Sequence, residues 1–237
     1  MKSLLLTLCM FSSAFAEVAP STYLTDFVKA LDLPWPKNRM MTIVCHGHSV
    51  PAGYAKTPHV DTFVAYPHRL HCALKEKHPH AVLNVIVTAI GGENSVTGAA
   101  RFERDVLCHK PDVVLIDYAL NDRSLPLEKS AASWQQMIDQ AKAAGAKVVL
   151  LTPTGDMRAK MSDEADPLSQ QAAQIRRLAE KNGVALADSY RAYQDWIRAG
   201  KKLDDLMSHV NHPNATGHQL VLETIRPWFE VSVSPSK

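Results

Sequence analysis

The sequence predicts a three-layer α/β/α fold around a five-stranded parallel sheet, with a flavodoxin-like strand order 2-1-3-4-5. Two observations carry that prediction. Five short apolar runs, at 41–45, 82–88, 113–117, 147–151 and 184–187, are rich in β-branched residues. Their length and unbroken hydrophobicity suit strands buried on both faces. Between them lie helix-patterned stretches at roughly 61–77, 96–108, 130–144 and 168–182, and a last one near 216–229. Ala144-Gly145-Ala146 and Asn182-Gly183 read as helix stops ahead of the next strand.

The chain starts with Lys2, an apolar run through Leu4, Leu5, Leu6, Leu8, Met10 and Phe11, and then Ala14-Phe15-Ala16. A charged start, a short apolar run and an A-x-A pattern predict a signal peptide at 1–16, cleaved after Ala16. The run is too short to span a bilayer, so the expected location is periplasmic or secreted. Residues 17–40, with Leu33-Pro34-Trp35-Pro36, read as an N-terminal arm, and 41–237 as one domain. The formal charge of +2 falls to +1 without Lys2. No basic stripe argues for nucleic acid, and no later run for a membrane span. Of the three cysteines after the leader, Cys45, Cys72 and Cys108, one pair could bridge, with Cys72–Cys108 the first choice. Oligomeric state is not readable.

In a sheet of this kind ligands bind beyond the carboxyl ends of the strands. There the first run is followed by Cys45-His46-Gly47-His48-Ser49 and Gly53, the second by Gly91-Gly92-Glu93-Asn94-Ser95, and the third by Asn121-Asp122-Arg123. Beyond the fifth comes His209-Val210-Asn211-His212-Pro213-Asn214. A serine, a glycine, an asparagine and a histidine on one rim are what acyl transfer needs. A serine hydroxyl attacks once a base takes its proton, and an imidazole does so at neutral pH. The oxyanion then formed needs preorganised donors. The backbone N–H of Ser49 and of Gly92 and the side chain of Asn121 fit that need. His48, Glu93, Asn94, Asp122 and Arg123 are candidate pocket residues. Residues 152–166, polar and interrupted by Pro153 and Gly155, read as a loop over the site or as a plain connection.

These residues resemble the SGNH/GDSL hydrolase family. Gly47-His48-Ser49 with Gly53 is similar to its first block, G-D-S-x-x-x-G, with His48 for the Asp. Gly92 matches the second block's glycine. Asn121-Asp122 matches G-x-N-D, with Ala119 for the Gly. His212-Pro213-Asn214 with Gly217-His218 resembles D-x-x-H-P-N-x-x-G-H. The resemblance spans about residues 41–225. It implies ester or thioester hydrolysis with Ser49 as nucleophile and His212 as base, without a metal or other cofactor.

One departure matters most. His209 stands where the family's triad acid is expected. An imidazole is not an anionic partner, although it can accept a hydrogen bond from His212 and hold its tautomer. Three arrangements stay open: His209 orients His212, a carboxylate (Asp204, Asp205 or Asp122) reaches in, or the pair acts as a dyad. His209 is the favoured orienter.

Export disfavours an intracellular acyl-CoA, and the preferred substrate is an O-acetylated oligo- or polysaccharide. A lipid or short-chain ester is the runner-up. Two rivals come from other classes. One is a zinc hydrolase using His46, His48, His209 and His212. The other is an inactive glycan-binding protein on the same scaffold.

Overall fold

The computed structural model describes residues 18–230 of the 237. The leader expected at 1–16 lies outside the described residues. The chain opens with two short helices, α1 (Pro20–Tyr23) and α2 (Thr25–Leu31). Leu24, Phe27, Val28 and Leu31 are buried in the core, so the expected arm is part of the folded body. The five strands are β1 (Met40–Gly47), β2 (Val82–Val87), β3 (Val113–Asp117), β4 (Lys147–Leu151) and β5 (Ala185–Ala187). All neighbours pair in parallel, in the order β2-β1-β3-β4-β5. That is the flavodoxin-like order expected.

The unbroken apolar runs are explained by the two cores they serve, because successive side chains point to opposite faces. Ile43, Cys45, Val113, Leu115, Val149 and Leu151 pack on one side. There they meet α2, α4 (Tyr66–Lys77), α10 (Ser189–Arg198) and α11 (Ala215–Ile225). Val44, Val114, Ile116, Val148 and Leu150 pack on the other. Their partners are α5 (Ser95–Ala100), α6 (Phe102–Asp105), α8 (Leu127–Ala143) and α9 (Pro167–Asn182). Burying each such side chain stabilises the fold by roughly 1.5–3 kcal/mol.

The helix ends follow local chemistry. Asp166 accepts from the Leu168 amide at 2.8 Å, Pro167 begins α9, and Gly183 ends it at φ +58°. Helix α4 starts at Tyr66 and not near 61, because 61–65 forms a turn and Pro67 suits a first helical turn. The stretch 96–108 divides into α5, α6 and a 3-10 turn at Leu107–His109. Helix α10 was not anticipated. Asp188 caps it through the Arg191 amide, and Tyr190 and Tyr193 are its buried face.

Three further short elements carry site residues: α3 (Ser49–Ala52), α7 (Ala119–Asp122) and a two-stranded hairpin of β6 (Met207–His209) and β7 (His212–Pro213). Cys72 and Cys108 are free and exposed, and Cys45 is free and buried, so the Cys72–Cys108 bridge is not formed. Among the described residues no helix is long and apolar enough to cross a membrane.

Candidate active site

Ser49 is the first residue of α3, one turn of helix set directly on the end of β1. The approach is tight. A Cβ at Gly47 would lie 2.4 Å from the Asp117 carbonyl oxygen of the neighbouring strand, so only glycine fits there. His48 is extended and buried, and its Nδ1 accepts from the Val50 amide at 3.2 Å. It therefore caps α3. Its Nε2 lies 3.4 Å from Asp117 Oδ1 but lacks hydrogen-bond alignment.

His212 sits at the start of β7. Its Nε2 is 3.0 Å from Ser49 Oγ. Its other nitrogen, Nδ1, is 2.8 Å from the backbone carbonyl oxygen of Ala55. Since a carbonyl only accepts, Nδ1 is the protonated nitrogen and Nε2 is left to accept from Ser49. His209, the expected orienter, is cross-strand partner to His212 and lies beside it. The ring centroids are 6.1 Å apart and tilted by 32°, with no hydrogen bond between them. A two-strand hairpin places paired side chains on one face, so His209 flanks His212 and does not reach Nδ1.

The alternative carboxylates are not bonded to His212 either. Asp122 is fully buried and accepts from the Ser95 amide at 2.8 Å and from the Trp134 indole N–H at 2.7 Å. Burial pushes its carboxyl above the usual carboxylate range, against those two hydrogen bonds. Asp204 and Asp205 are exposed in a 3-10 turn at Leu203–Leu206, where Asp205 accepts from the Lys202 amide at 3.3 Å.

Burial is the main cause that lowers the His212 pKa. The neighbouring His209 and His48 act in the same direction, and the Ala55 hydrogen bond opposes them. The ring also has Tyr54 at 5.9 Å between centroids. Tyr54 in turn lies against Gly91, where an added Cβ would be 2.8 Å from its ring. Sequence reasoning missed Tyr54 and Ala55. Gly53, an invitation to a turn, was the one available signal.

On the opposite side Gly92 adopts φ +83° and has open space where a Cβ would stand. The glycine is needed for backbone angle and not for room. The amides of Ser49 and Gly92 meet no acceptor among the described residues. Asn121, in α7, donates from Nδ2 to the Glu93 carbonyl at 2.7 Å, which fixes the amide and leaves its second N–H. The Glu93 carboxylate is gripped by Arg101, with contacts of 2.8 and 2.6 Å to Oε2, and Tyr118 donates to it at 3.3 Å. His46 lies behind, with Nδ1 2.8 Å from Thr88 Oγ and Nε2 3.1 Å from both the Gly98 carbonyl and the Tyr118 hydroxyl.

The five expected pocket residues are thus tied into the fold. His48 caps α3, Glu93 pairs with Arg101, Asn94 caps α5 through the Val96 and Thr97 amides, and Asp122 binds Ser95 and Trp134. Arg123 pairs with the buried Asp156. The loop after β4 is anchored beside the histidine hairpin, where the Met157 amide donates to the Val210 carbonyl at 2.9 Å. His46 has both nitrogens engaged. Among the described residues no group of three or more His, Cys, Asp or Glu is arranged to hold a metal ion.

The sequence model of the GDSL-like Lipase/Acylhydrolase family matches residues 45–220. No curated protein matches the chain. Among solved structures, a two-domain esterase (CEX) active on acetylated mannans superposes with a TM-score of 0.72 at 20% identity, over 91% of this chain. The chain spans 55% of that esterase's length. Axe2, an acetylxylan esterase from Geobacillus stearothermophilus, gives 0.67 at 20% identity, over 83% of this chain and 97% of its own. The acetyl xylan esterase AlAXEase gives 0.66 at 24%, over 78% and 98%. At these identities the superpositions establish the fold.

Proposed function

The chain belongs to the GDSL-like lipase/acylhydrolase family, and from that premise we propose that it is an exported O-deacetylase of carbohydrates working through an acyl-Ser49 intermediate. The family membership makes it an ester-hydrolysing serine hydrolase. The observation that carries the residue assignment is the 3.0 Å contact between Ser49 Oγ and His212 Nε2. Ser49 Oγ attacks the acyl carbonyl as His212 takes its proton. The amides of Ser49 and Gly92 and the Asn121 side chain receive the oxyanion. Collapse releases the sugar alkoxide, which takes the proton from His212. Water, activated by the same imidazole, then attacks the acyl-serine and frees the acid and Ser49.

The carbohydrate preference is supported by the acetylated mannans and xylans named for the similar structures, and by the leader expected at 1–16. Acetate release from acetylated xylan or mannan, together with fluorophosphonate labelling at Ser49 that is lost in Ser49→Ala, tests it. Turnover of long-chain esters with no acetate released from any acetylated glycan overturns the substrate class. No labelling overturns the enzyme reading and leaves the glycan-binding alternative. Sequencing the mature N-terminus from Glu17 tests export.

One observation favours an apolar ester as the second reading. Val60, Ile90 and Met157 are all exposed, on three loops at the carboxyl rim of the sheet. Exposed apolar side chains on the rim where a ligand is expected suit an apolar substrate surface.

A further inference from the structure

We propose that the main-chain carbonyl of Ala55 takes the place of the third member of the triad, so that His212 is oriented by a neutral dipole presented on a hairpin and by no acidic side chain. The inference rests on the assignment of Ser49 and His212 given above. It goes beyond it in naming what holds the base.

The geometry is built for the purpose. Gly53, at φ +92°, turns the chain out of α3, and the Gly53 carbonyl accepts from the Asp61 amide at 2.8 Å. The Ala55 amide donates to the His59 carbonyl at 3.0 Å, and Tyr54 is bridged to Val60. The Tyr54 amide donates back to the Ser49 carbonyl at 3.0 Å. The hairpin at 53–61 is therefore tied to the nucleophile's own turn of helix. The carbonyl that His212 uses and the hydroxyl that it serves are held by one short piece of chain. Such coupling fixes the distance between them.

A carbonyl and a carboxylate share one effect on the imidazole and differ in another. Both select the tautomer with Nδ1 protonated, the service whose loss costs about four decades in a serine protease. Only a carboxylate places a full charge beside the imidazolium. The groups facing His212 are Ser49, the uncharged Tyr54 and Ala55 of the hairpin, His48 before α3, His209 in β6 and His218 in α11. The charges acting on His212 are those of His209 and His48, and both oppose its protonation. The base thus stays neutral further into acid than an ordinary histidine. It does so at the cost of a less stabilised imidazolium in the transition state.

The test uses the full chain labelled with ¹⁵N-histidine, alongside kinetics and fluorophosphonate labelling. Expected for the wild type are a single Nδ1-protonated tautomer of His212 at neutral pH and an acid limb of kcat/KM below pH 6.5. Gly53→Ala puts a Cβ 2.6 Å from the Asp61 carbonyl oxygen and strains the hairpin. It should mix the tautomers and cut kcat by ~100-fold or more, within the range expected for a misoriented base. A second replacement, Nδ1-methylhistidine at 212, removes the donated N–H, sets a methyl against the Ala55 carbonyl and should cost as much. His209→Asp supplies the missing charge and should move the acid limb upward. Overturning results are an Nε2-protonated His212, full activity in the methylated protein, or a ~100-fold loss in His209→Ala, which would return the role to His209. Ser49 labelling in the wild type separates these outcomes from failure of the underlying assignment.

Discussion

On the β2 and β3 side of Ser49, ionised groups hold the loops: Arg101 grips Glu93, and the Glu93 carbonyl in turn fixes Asn121. On the other side His212 leans on the Ala55 carbonyl, with no carboxylate bonded to it among the described residues. The charged clamp stands one step behind Asn121, one of the proposed oxyanion donors. On the proposed assignment, the base has a neutral support while its own charge appears and vanishes in each cycle. Rigid charge suits the flank that only receives an oxyanion; an uncharged partner suits the flank that moves a proton.

The largest effect expected is on the proton-moving flank. His212→Ala should lower kcat by roughly 10⁴-fold or more and abolish the acid limb of the pH profile. A loss below about tenfold in steady-state assays would break the division at its root. Asn121→Ala should lower kcat by roughly 10²–10³-fold while the pH profile keeps its shape, because an oxyanion donor exchanges no proton. If the acid limb moves with Asn121, the two flanks are not separate.

Each flank also encloses one histidine held neutral, chiefly by burial: His46, pushed down to about 4, and His218, pushed down to about 3. Unfolded, both would take a proton near 6.5. Their burial as neutral rings is thus free of penalty above that pH. Stability is lost as pH falls from about 6.5 toward 4 for His46 and toward 3 for His218. Urea midpoints should fall over that range, and less steeply in His46→Gln. A flat series would show that neither ring resists protonation. The smallest effect expected is that of Asp122→Asn. It sets an amide where both the Ser95 N–H and the Trp134 N–H need an acceptor. A loss of about 1–3 kcal/mol in thermal or denaturant unfolding would follow.

The sheet was legible because each strand is an apolar run of the right length, and 113–117 and 147–151 match the strands residue for residue. Helix α10 was missed although its polar and apolar faces are sharply divided, with Tyr190 and Tyr193 on the buried one and Trp196 against the core. The Asp188 cap and the Tyr190 and Tyr193 spacing were the available signs. Ser49, His212, Gly92 and Asn121 could be named as candidates because four blocks, each weak alone, fall in one order beyond the strands and together resemble one family. Glu93, Asn94, Asp122 and Arg123 were named as pocket candidates without sight of their partners, because a polar residue on a rim looks the same whether it faces a ligand or a buried partner such as Arg101 or Trp134. The support of His212 comes from 157 positions away and from main chain, so no pattern around His209 could disclose it.

The hairpin has a genetic consequence. Every codon that replaces Ala55 still supplies a carbonyl, so no single substitution at that position deletes the group. Mutation reaches it only through the path of the chain. The vulnerable position is then Gly53, where any side chain meets the Asp61 backbone. A scan that truncates side chains one by one would score position 55 as indifferent and position 53 as a folding defect, although the base depends on both.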